Sequence, residues 1–456
     1  MKVERHFIEF VPEDERHGNV RSLFSMWFAP NVALITMITG GLGVQTGLNL
    51  FWSAVAIVLG NLIGGILMAL HSVQGPRLGI PQMIQSRAQF GVMGAVFPIL
   101  LVILMYVGYC TTNVVIGAQA FASVASIPFG WGVVIVAAVT FFVAVIGYDL
   151  IHGVQKALSV ISGLVFLYVT IAVFQLDYPQ NSWSPAQFNS TSFLLLFSVS
   201  ATWQLTYGPY IADYSRYLPK DTDSRKTFFY TLGGTFLGAV WCMILGAILT
   251  DAVPRFLENP SLGVASLGGS TWSLVLNFSA ILSVMFGNVI NLYGAFMSIT
   301  TVLETFIKIK STLQTRFTLI FITTLIVITL AVLGHNSFVE HFETLMLLLS
   351  YTLFPWTTIN LVDFFFLRHG TYNLSALFDP KGEYGTYNWK ALIPYLITIV
   401  CEVPFMSTAL YEGPIARALN GADLAWIVAI TLPGILYYYL MKKNSHGDFD
   451  KHTTIS

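Results

Sequence analysis

The chain has 456 residues, of which only 10% are Asp, Glu, Lys or Arg, against about 25% in an ordinary soluble domain. Its mean hydropathy is +0.70. So few charges cannot cover a soluble chain of this size. A soluble enzyme, a nucleic-acid binder and a disulfide scaffold are excluded, which leaves an all-α polytopic membrane protein; the formal net charge of −1 points to no partner.

Residues 1–23 form a charged N-terminal segment without the apolar core of a signal peptide, so the first span is expected to insert uncleaved. Beyond it, residues 22–70 run 49 positions without Asp, Glu, Lys, Arg or His, and residues 88–148 run 61. A span needs about 20 mostly apolar residues, so each run holds more than one. Cutting at polar and Gly/Pro-rich breaks gives twelve spans, near 24–43, 48–71, 95–123, 131–149, 157–176, 191–212, 228–250, 270–301, 318–335, 344–366, 391–411 and 423–441. A barrel would show short alternating strands instead. Spans 1–5 (24–176) and 6–10 (191–366) start on opposite sides of the membrane, as two halves of an inverted repeat do. Spans 11 and 12 (391–441) and a tail (442–456) follow. Cys110, Cys242 and Cys401 lie in apolar runs and suggest neither a metal site nor a disulfide.

Cytoplasmic loops are rich in Lys and Arg. With the N-terminus inside and twelve alternating spans, only Arg255 and Arg417 of the 22 Lys and Arg fall outside. A miscounted span would scramble that asymmetry. Both termini are therefore expected in the cytoplasm of a cell-membrane protein. No P-loop, HExxH or GxSxG motif is present, so neither ATP hydrolysis nor intramembrane hydrolysis is expected.

Span 1 is interrupted by Pro30 and Asn31 in MWFAPNVALIT, and span 6 by Gly208 and Pro209 in TWQLTYGPYIADY. Broken backbone survives at membrane depth where it lines a cavity. Paired breaks at matching places of two halves mark a transporter site. Span 3 adds Tyr106, Tyr109, Thr111, Thr112 and Asn113, and span 8 adds Asn288, Asn291 and Tyr293. Asn288 and Asn291 stand three residues apart and are expected on one face, either as interhelical glue or as ligand contacts. Amides can read a ring edge with mixed donors and acceptors, and Trp and Tyr faces can stack on it. These central stretches hold no Lys, Arg, Asp or Glu, so a neutral planar heterocycle is the expected substrate, without cofactor, metal or nucleic acid.

At these residues the sequence resembles the nucleobase:cation symporter family one, the purine–cytosine permease group, over nearly its whole length. The resemblance is carried by EFVPEDERHG (9–18), GPRLGIPQMIQSRAQFGVMG (75–94), NVVIGAQAF in span 3, GPYIADYSRYLP (208–219) and LVDFFFLRHGTYN (361–373). It implies a five-plus-five inverted repeat with two extra C-terminal helices, in a secondary active importer of a nucleobase working by alternating access. Another heterocycle, such as allantoin, a hydantoin or a vitamin B6 form, is the alternative. The resemblance implies substrate contacts at Tyr109, Asn113, Trp203 with Gln204 adjacent, and Asn291; together with the broken spans and polar positions above, the candidate substrate-binding positions are Ala29, Pro30, Asn31, Tyr109, Asn113, Trp203, Gln204, Tyr207, Asn288 and Asn291.

In sodium-coupled members of that family, span-1 carbonyls and span-8 carbonyl and hydroxyl oxygens hold the ion. The corresponding positions here are Ala29 and Val32, then Met285 and Phe286, whose side chains carry no oxygen; Ser283 is nearby but out of register. This resembles the proton-coupled permeases, so H+ is expected ahead of Na+. Glu402, 12 residues past Lys390 in span 11, is the clearest intramembrane titratable group. Asp213, Asp149, His71, Glu304 and Asp363 lie near span ends, where solvated or loop-pairing roles are expected.

Overall fold

The computed structural model describes residues 10–146, 148–307 and 312–448, apart from the side chains of 148–159, 270, 286 and 443–448; Asp149 and Phe286 thus lie outside the described side chains. Span 1 is two helices, α1 (Ser22–Phe28) and α2 (Leu34–Gln45), bent by 60° about a 3-10 turn at Ala29–Asn31. Span 2 is α3 (Leu50–Ser72). The 75–94 segment, expected as a loop, folds into α4 (Gln74–Leu78) and α5 (Gln82–Phe90). Spans 3–5 are α6 (Val96–Ala125), α7 (Phe129–Ile146) and α8 (Tyr148–Ala172). Span 6 is α9 (Ser190–Leu205), a 3-10 turn at Gly208–Tyr210 and α10 (Ile211–Ser215). Span 7 is α11 (Ser224–Ala252); a short α12 (Pro260–Ser266) precedes span 8, α13 (Gly269–Phe306). Spans 9 and 10 are α14 (Leu313–Gly334) and α15 (Phe338–Val362). Span 11 is α16 (Trp389–Glu402), then come α17 (Pro414–Ala418) and span 12, α18 (Ala425–Asp448).

Each of the twelve predicted spans thus corresponds to one helix or one broken helix. Span 11 needs correction: its helix stops at Glu402 instead of running to 411, because the Pro404 ring cannot continue it. The helices start where short polar side chains satisfy free backbone N–H groups: Asn49, Asn189 and Asp223 accept from Trp52, Ser192 and Arg225. Large apolar side chains such as Leu104, Phe142, Leu164 and Ile326 stay exposed on the outer helices. A soluble protein would bury them; lipid accepts them.

The contacts repeat with an internal symmetry. Span 1 packs on span 7 (α2 on α11) and span 6 on span 2 (α9 on α3), which is the same contact in the two halves. Likewise α6 packs on α7 as α13 does on α14, and α6 meets α14 as α13 meets α7. Spans 1, 2, 6 and 7 therefore form one bundle and spans 3, 4, 8 and 9 another, with α15 set against α3, α6 and α9.

Close helix crossings rest on glycine. A Cβ at Gly246 would stand 1.8 Å from the Met37 carbonyl oxygen, and one at Gly40 2.0 Å from that of Met243. The obstacle is backbone on the facing helix, so it cannot rotate away. Gly246→Ala is expected to cost about 1–3 kcal/mol through overpacking and to lower the unfolding temperature. Gly246→Leu should yield no monodisperse protein by size-exclusion chromatography.

Candidate substrate site

Proline at the first turns of Ala29–Asn31 and Gly208–Tyr210 removes backbone donors and ends the preceding helices. Span 1 then unwinds at Val32 (φ −83°, ψ 71°) and the extended Ala33. Unwound backbone here borders a cavity of about 120 Å³ between the two bundles. From span 1 its wall takes Ala29, Pro30, Val32, Ala33 and Ile35; from span 3, Tyr109 and Asn113. Span 6 adds Trp203, Thr206, Tyr207 and Tyr210, and span 8 adds Ser283, Val284, Gly287, Ile290 and Asn291, with Ser162 from span 5. Among the described residues, no Asp, Glu, Lys, Arg or His lines it.

The aromatic wall is held in place by hydrogen bonds. The Trp203 indole N–H donates to Asn31 Oδ1 at 2.7 Å, and the Tyr207 hydroxyl reaches the same oxygen at 3.4 Å. Asn31 Nδ2 donates to the Trp27 carbonyl oxygen at 2.7 Å. Tyr109 meets Trp203 edge to face at 5.9 Å, and its hydroxyl lies 3.3 Å from Thr206 Oγ1 and 3.2 Å from Met346 Sδ. The rings are therefore fixed before any ligand arrives. By contrast, the amides of Asn113 and Asn291 face the cavity and have no hydrogen-bond partner among the described residues.

Of the predicted substrate-binding positions, seven line the cavity: Ala29, Pro30, Tyr109, Asn113, Trp203, Tyr207 and Asn291. Three do not. Asn31 is wholly buried and orients the Trp203 indole from behind. Gln204 points away, bonding Asn61 Oδ1 at 2.7 Å and accepting from Thr235. Asn288 donates to Thr140 of α7 at 3.3 Å, which is interhelical glue. Among the cation candidates, Ala29, Val32 and Ser283 line the cavity. Met285 packs against the core, and Glu402 lies elsewhere, near Asp423 and Tyr351. Sequence reasoning missed Thr206 and Tyr210, which stand in the span-6 motif itself, and Ser162, a lone serine in an apolar span that gave no signal.

Removing Asn31 tests this support. Asn31→Ala leaves the Trp203 N–H buried without an acceptor, at a cost of about 1–3 kcal/mol. A lower unfolding temperature and weakened substrate binding should appear together, although Asn31 does not line the cavity.

A second, wider cavity of about 520 Å³ lies beside the first and shares Tyr210 and Ile290 with it. It extends past Tyr106, Asp213 and Tyr293 to His17 and Arg216, on the Lys/Arg-rich face. Tyr106 and Tyr210, 5.7 Å apart, stand at the partition. The N-terminal segment is tied down at this mouth: His17 and Gly18 N–H both donate to the Tyr217 carbonyl at 3.0 Å.

Two of the span-end residues, His71 and Asp363, are fully buried. His71 is stacked on Trp356 at 4.9 Å, with Nδ1 3.2 Å from Gln82 Nε2. The Gln82 N–H donates to Asp213 Oδ1 at 2.8 Å. Asp363 accepts from Gln89, Tyr372 and Tyr437 and pairs with Arg368 at 3.3 Å. The glutamines of the 75–94 motif thus stitch α5 to spans 2, 6 and 10; Asp213 and Asp363 take the loop-pairing role expected of them, and His71 is bonded internally instead of solvated.

A family model described as "Permease for cytosine/purines, uracil, thiamine, allantoin" matches residues 10–429. The chain is 47% identical over 446 residues to the putative purine-cytosine permease YxlA of Bacillus subtilis, covering 97% of this chain and 96% of that one. It is 25% identical to the purine-cytosine permease fcyB of Emericella nidulans, covering 96% and 88%. Among solved structures it is similar to Mhp1, a nucleobase-cation-symport-1 family transporter in a closed conformation with bromovinylhydantoin bound. That match has a TM-score of 0.77 at 17% identity and covers 98% of this chain and 96% of that one, which shows the shared fold. Family and relatives are permeases, not enzymes. A transporter fold with paired breaks around one cavity and a family match over nearly the whole chain agree: the protein belongs to the nucleobase:cation symporter family of membrane permeases for cytosine/purines, uracil, thiamine and allantoin.

Proposed function

We propose that the protein imports a neutral nucleobase, of cytosine or purine type, by proton symport, with the site formed by Tyr109, Asn113, Trp203, Tyr207 and Asn291. The observation that carries this reading is a cavity walled by fixed aromatic rings in which, among the described residues, no Asp, Glu, Lys, Arg or His lines the wall and two amides remain unbonded. An uncharged lining gives a dicarboxylate or an ammonium no counter-charge, and burying a charge unpaired is costly. A planar ring fits between rings and uses amide donors and acceptors at its edge. Both termini lie in the cytoplasm on this reading, so the wider cavity is the inner vestibule. The bundle of spans 1, 2, 6 and 7 moves against that of spans 3, 4, 8 and 9 to alternate access.

A thermal-shift screen of purified protein tests the substrate class. Nucleobases should raise the unfolding temperature; amino acids and dicarboxylates should not. Stabilisation by allantoin, a hydantoin or pyridoxine alone would reassign the substrate among neutral heterocycles. Stabilisation by a dicarboxylate alone would overturn the reading. A second reading, sodium coupling, is favoured by the hydroxyls of Ser162 and Ser283, which share the cavity wall with Ala29 and Val32.

A further inference from the structure

We propose that Glu402 is a proton-binding site between spans 10, 11 and 12, and that its occupancy sets the position of span 10 against Tyr109 of the substrate-cavity wall. The coupling part rests on the proton-symport reading; the proton site itself does not.

Glu402 ends α16, and its side chain is 0% exposed. Both carboxyl oxygens lack a hydrogen-bond partner among the described residues. The groups facing it are Tyr351 from α15, Tyr395 from its own helix and Asp423 just before α18. No Lys, Arg or His among the described residues pairs with it: Arg417, the basic residue of the adjoining outer segment, is exposed and pairs with Glu412. Asp423 differs in kind. Its Oδ2 accepts from the Tyr351 hydroxyl and from the Ser407 N–H at 2.8 Å, and its Oδ1 from the Ala425 N–H at 3.0 Å. Three donors compensate one anion there and none compensates a second. Two adjacent buried carboxyls with unequal partners divide into an anion and an acid. Asp423 holds the charge, and Glu402 holds a proton.

The site is joined to the cavity by one helix. Tyr351, which grips Asp423, sits on α15. About one and a half turns earlier the same helix presents Met346 Sδ to the Tyr109 hydroxyl at 3.2 Å, and about two and a half turns earlier it presents Phe342 to the Tyr109 ring at 6.4 Å. When Glu402 loses its proton, a second negative charge appears beside Asp423 without a counter-ion. Movement of Asp423 away from Glu402 relieves that repulsion, and because Tyr351 holds Asp423, α15 shifts with it and repositions Met346 and Phe342 against Tyr109. Proton binding reverses the shift.

Two measurements on the full-length protein in lipid test this. Infrared difference spectra between acidic and alkaline pH, without substrate, should show a carboxylic-acid C=O band. It should be absent in Glu402→Gln, retained in Asp423→Asn and shifted in Glu402→Asp. An unchanged band in a monodisperse Glu402→Gln protein overturns the proton site; if that variant does not fold, an unshifted band in Glu402→Asp does so. The second arm measures uptake of radiolabelled cytosine, adenine or hypoxanthine into vesicles under a gradient of one pH unit. For one proton per substrate the wild type should accumulate up to about tenfold. Glu402→Gln should fall to a ratio of about one at every pH, and Glu402→Asp should restore part of the pH dependence. A purely structural role would lower the yield of folded protein without flattening that profile. Gradient-driven accumulation by Glu402→Gln overturns the coupling role, as does wild-type uptake that ignores the pH gradient. If the wild type takes up none of the three, the nucleobase reading fails, and the infrared arm still decides the proton site.

Discussion

Replacing Asn291 by alanine is expected to raise the substrate concentration for half-maximal uptake by roughly 5- to 150-fold, while leaving the protein folded. Asn291 lines the cavity from α13, and its amide makes no hydrogen bond to the described residues. Its removal therefore costs the fold little. What it removes is a donor and an acceptor facing the ring edge of the substrate. Leaving a buried polar group of the ligand unsatisfied costs about 1–3 kcal/mol, or roughly 5- to 150-fold in affinity. Vesicle uptake and the unfolding temperature of the purified variant check both halves. Asn288→Ala provides the contrast, because Asn288 ties α13 to Thr140 of α7. It should lower the unfolding temperature and change apparent affinity much less. If Asn291→Ala transports normally, the amide does not read the substrate and the site lies elsewhere.

That contrast shows how far the sequence reaches. Spans, breaks and the grouping of spans 1, 3, 6 and 8 are legible because apolar run length, Pro and Gly act locally on the backbone. The aim of a polar side chain is not, since it depends on which helix faces it. Asn288 and Asn291 are three residues apart, about 60° on a helix, and a shared face is a reasonable expectation. At the edge of a narrow cavity 60° is enough to send one amide to the ligand space and the other to α7. Trp203 and Gln204 are about 100° apart, so the ring enters the cavity and the amide joins Asn61 and Thr235 behind it. Asn31 stands in the break itself, where neither helical period nor residue type predicts its direction. Ser162 was invisible because a serine in an apolar span usually bonds its own helix. Only the approach of α8 to the broken span gives it a role.

Uptake into vesicles is expected to respond to an inward proton gradient, to collapse with a protonophore, and to change little when sodium is replaced by potassium or choline at fixed pH. A hard cation needs several oxygen ligands to replace its water. At the span-8 position next to the break, Met285 packs its thioether into the core and offers none. The Ala29 carbonyl already accepts the Val32 N–H at 3.1 Å, so it is only partly free. Hydroxyls of Ser283 and Ser162 are the serine oxygens that line the cavity with Ala29 and Val32. A sodium site would have to recruit both, together with the carbonyls of Ala29 and Val32, and still falls short of a full shell. A proton needs one carboxyl and no cage, and the Glu402 site proposed above would supply it at a distance, through span 10. Vesicle assays with sodium and pH gradients imposed separately distinguish the two. Uptake that vanishes without sodium and ignores pH would show that the two serines complete a sodium site. Ser283→Ala should then abolish the sodium dependence, whereas under proton coupling the same substitution leaves the response to the pH gradient intact.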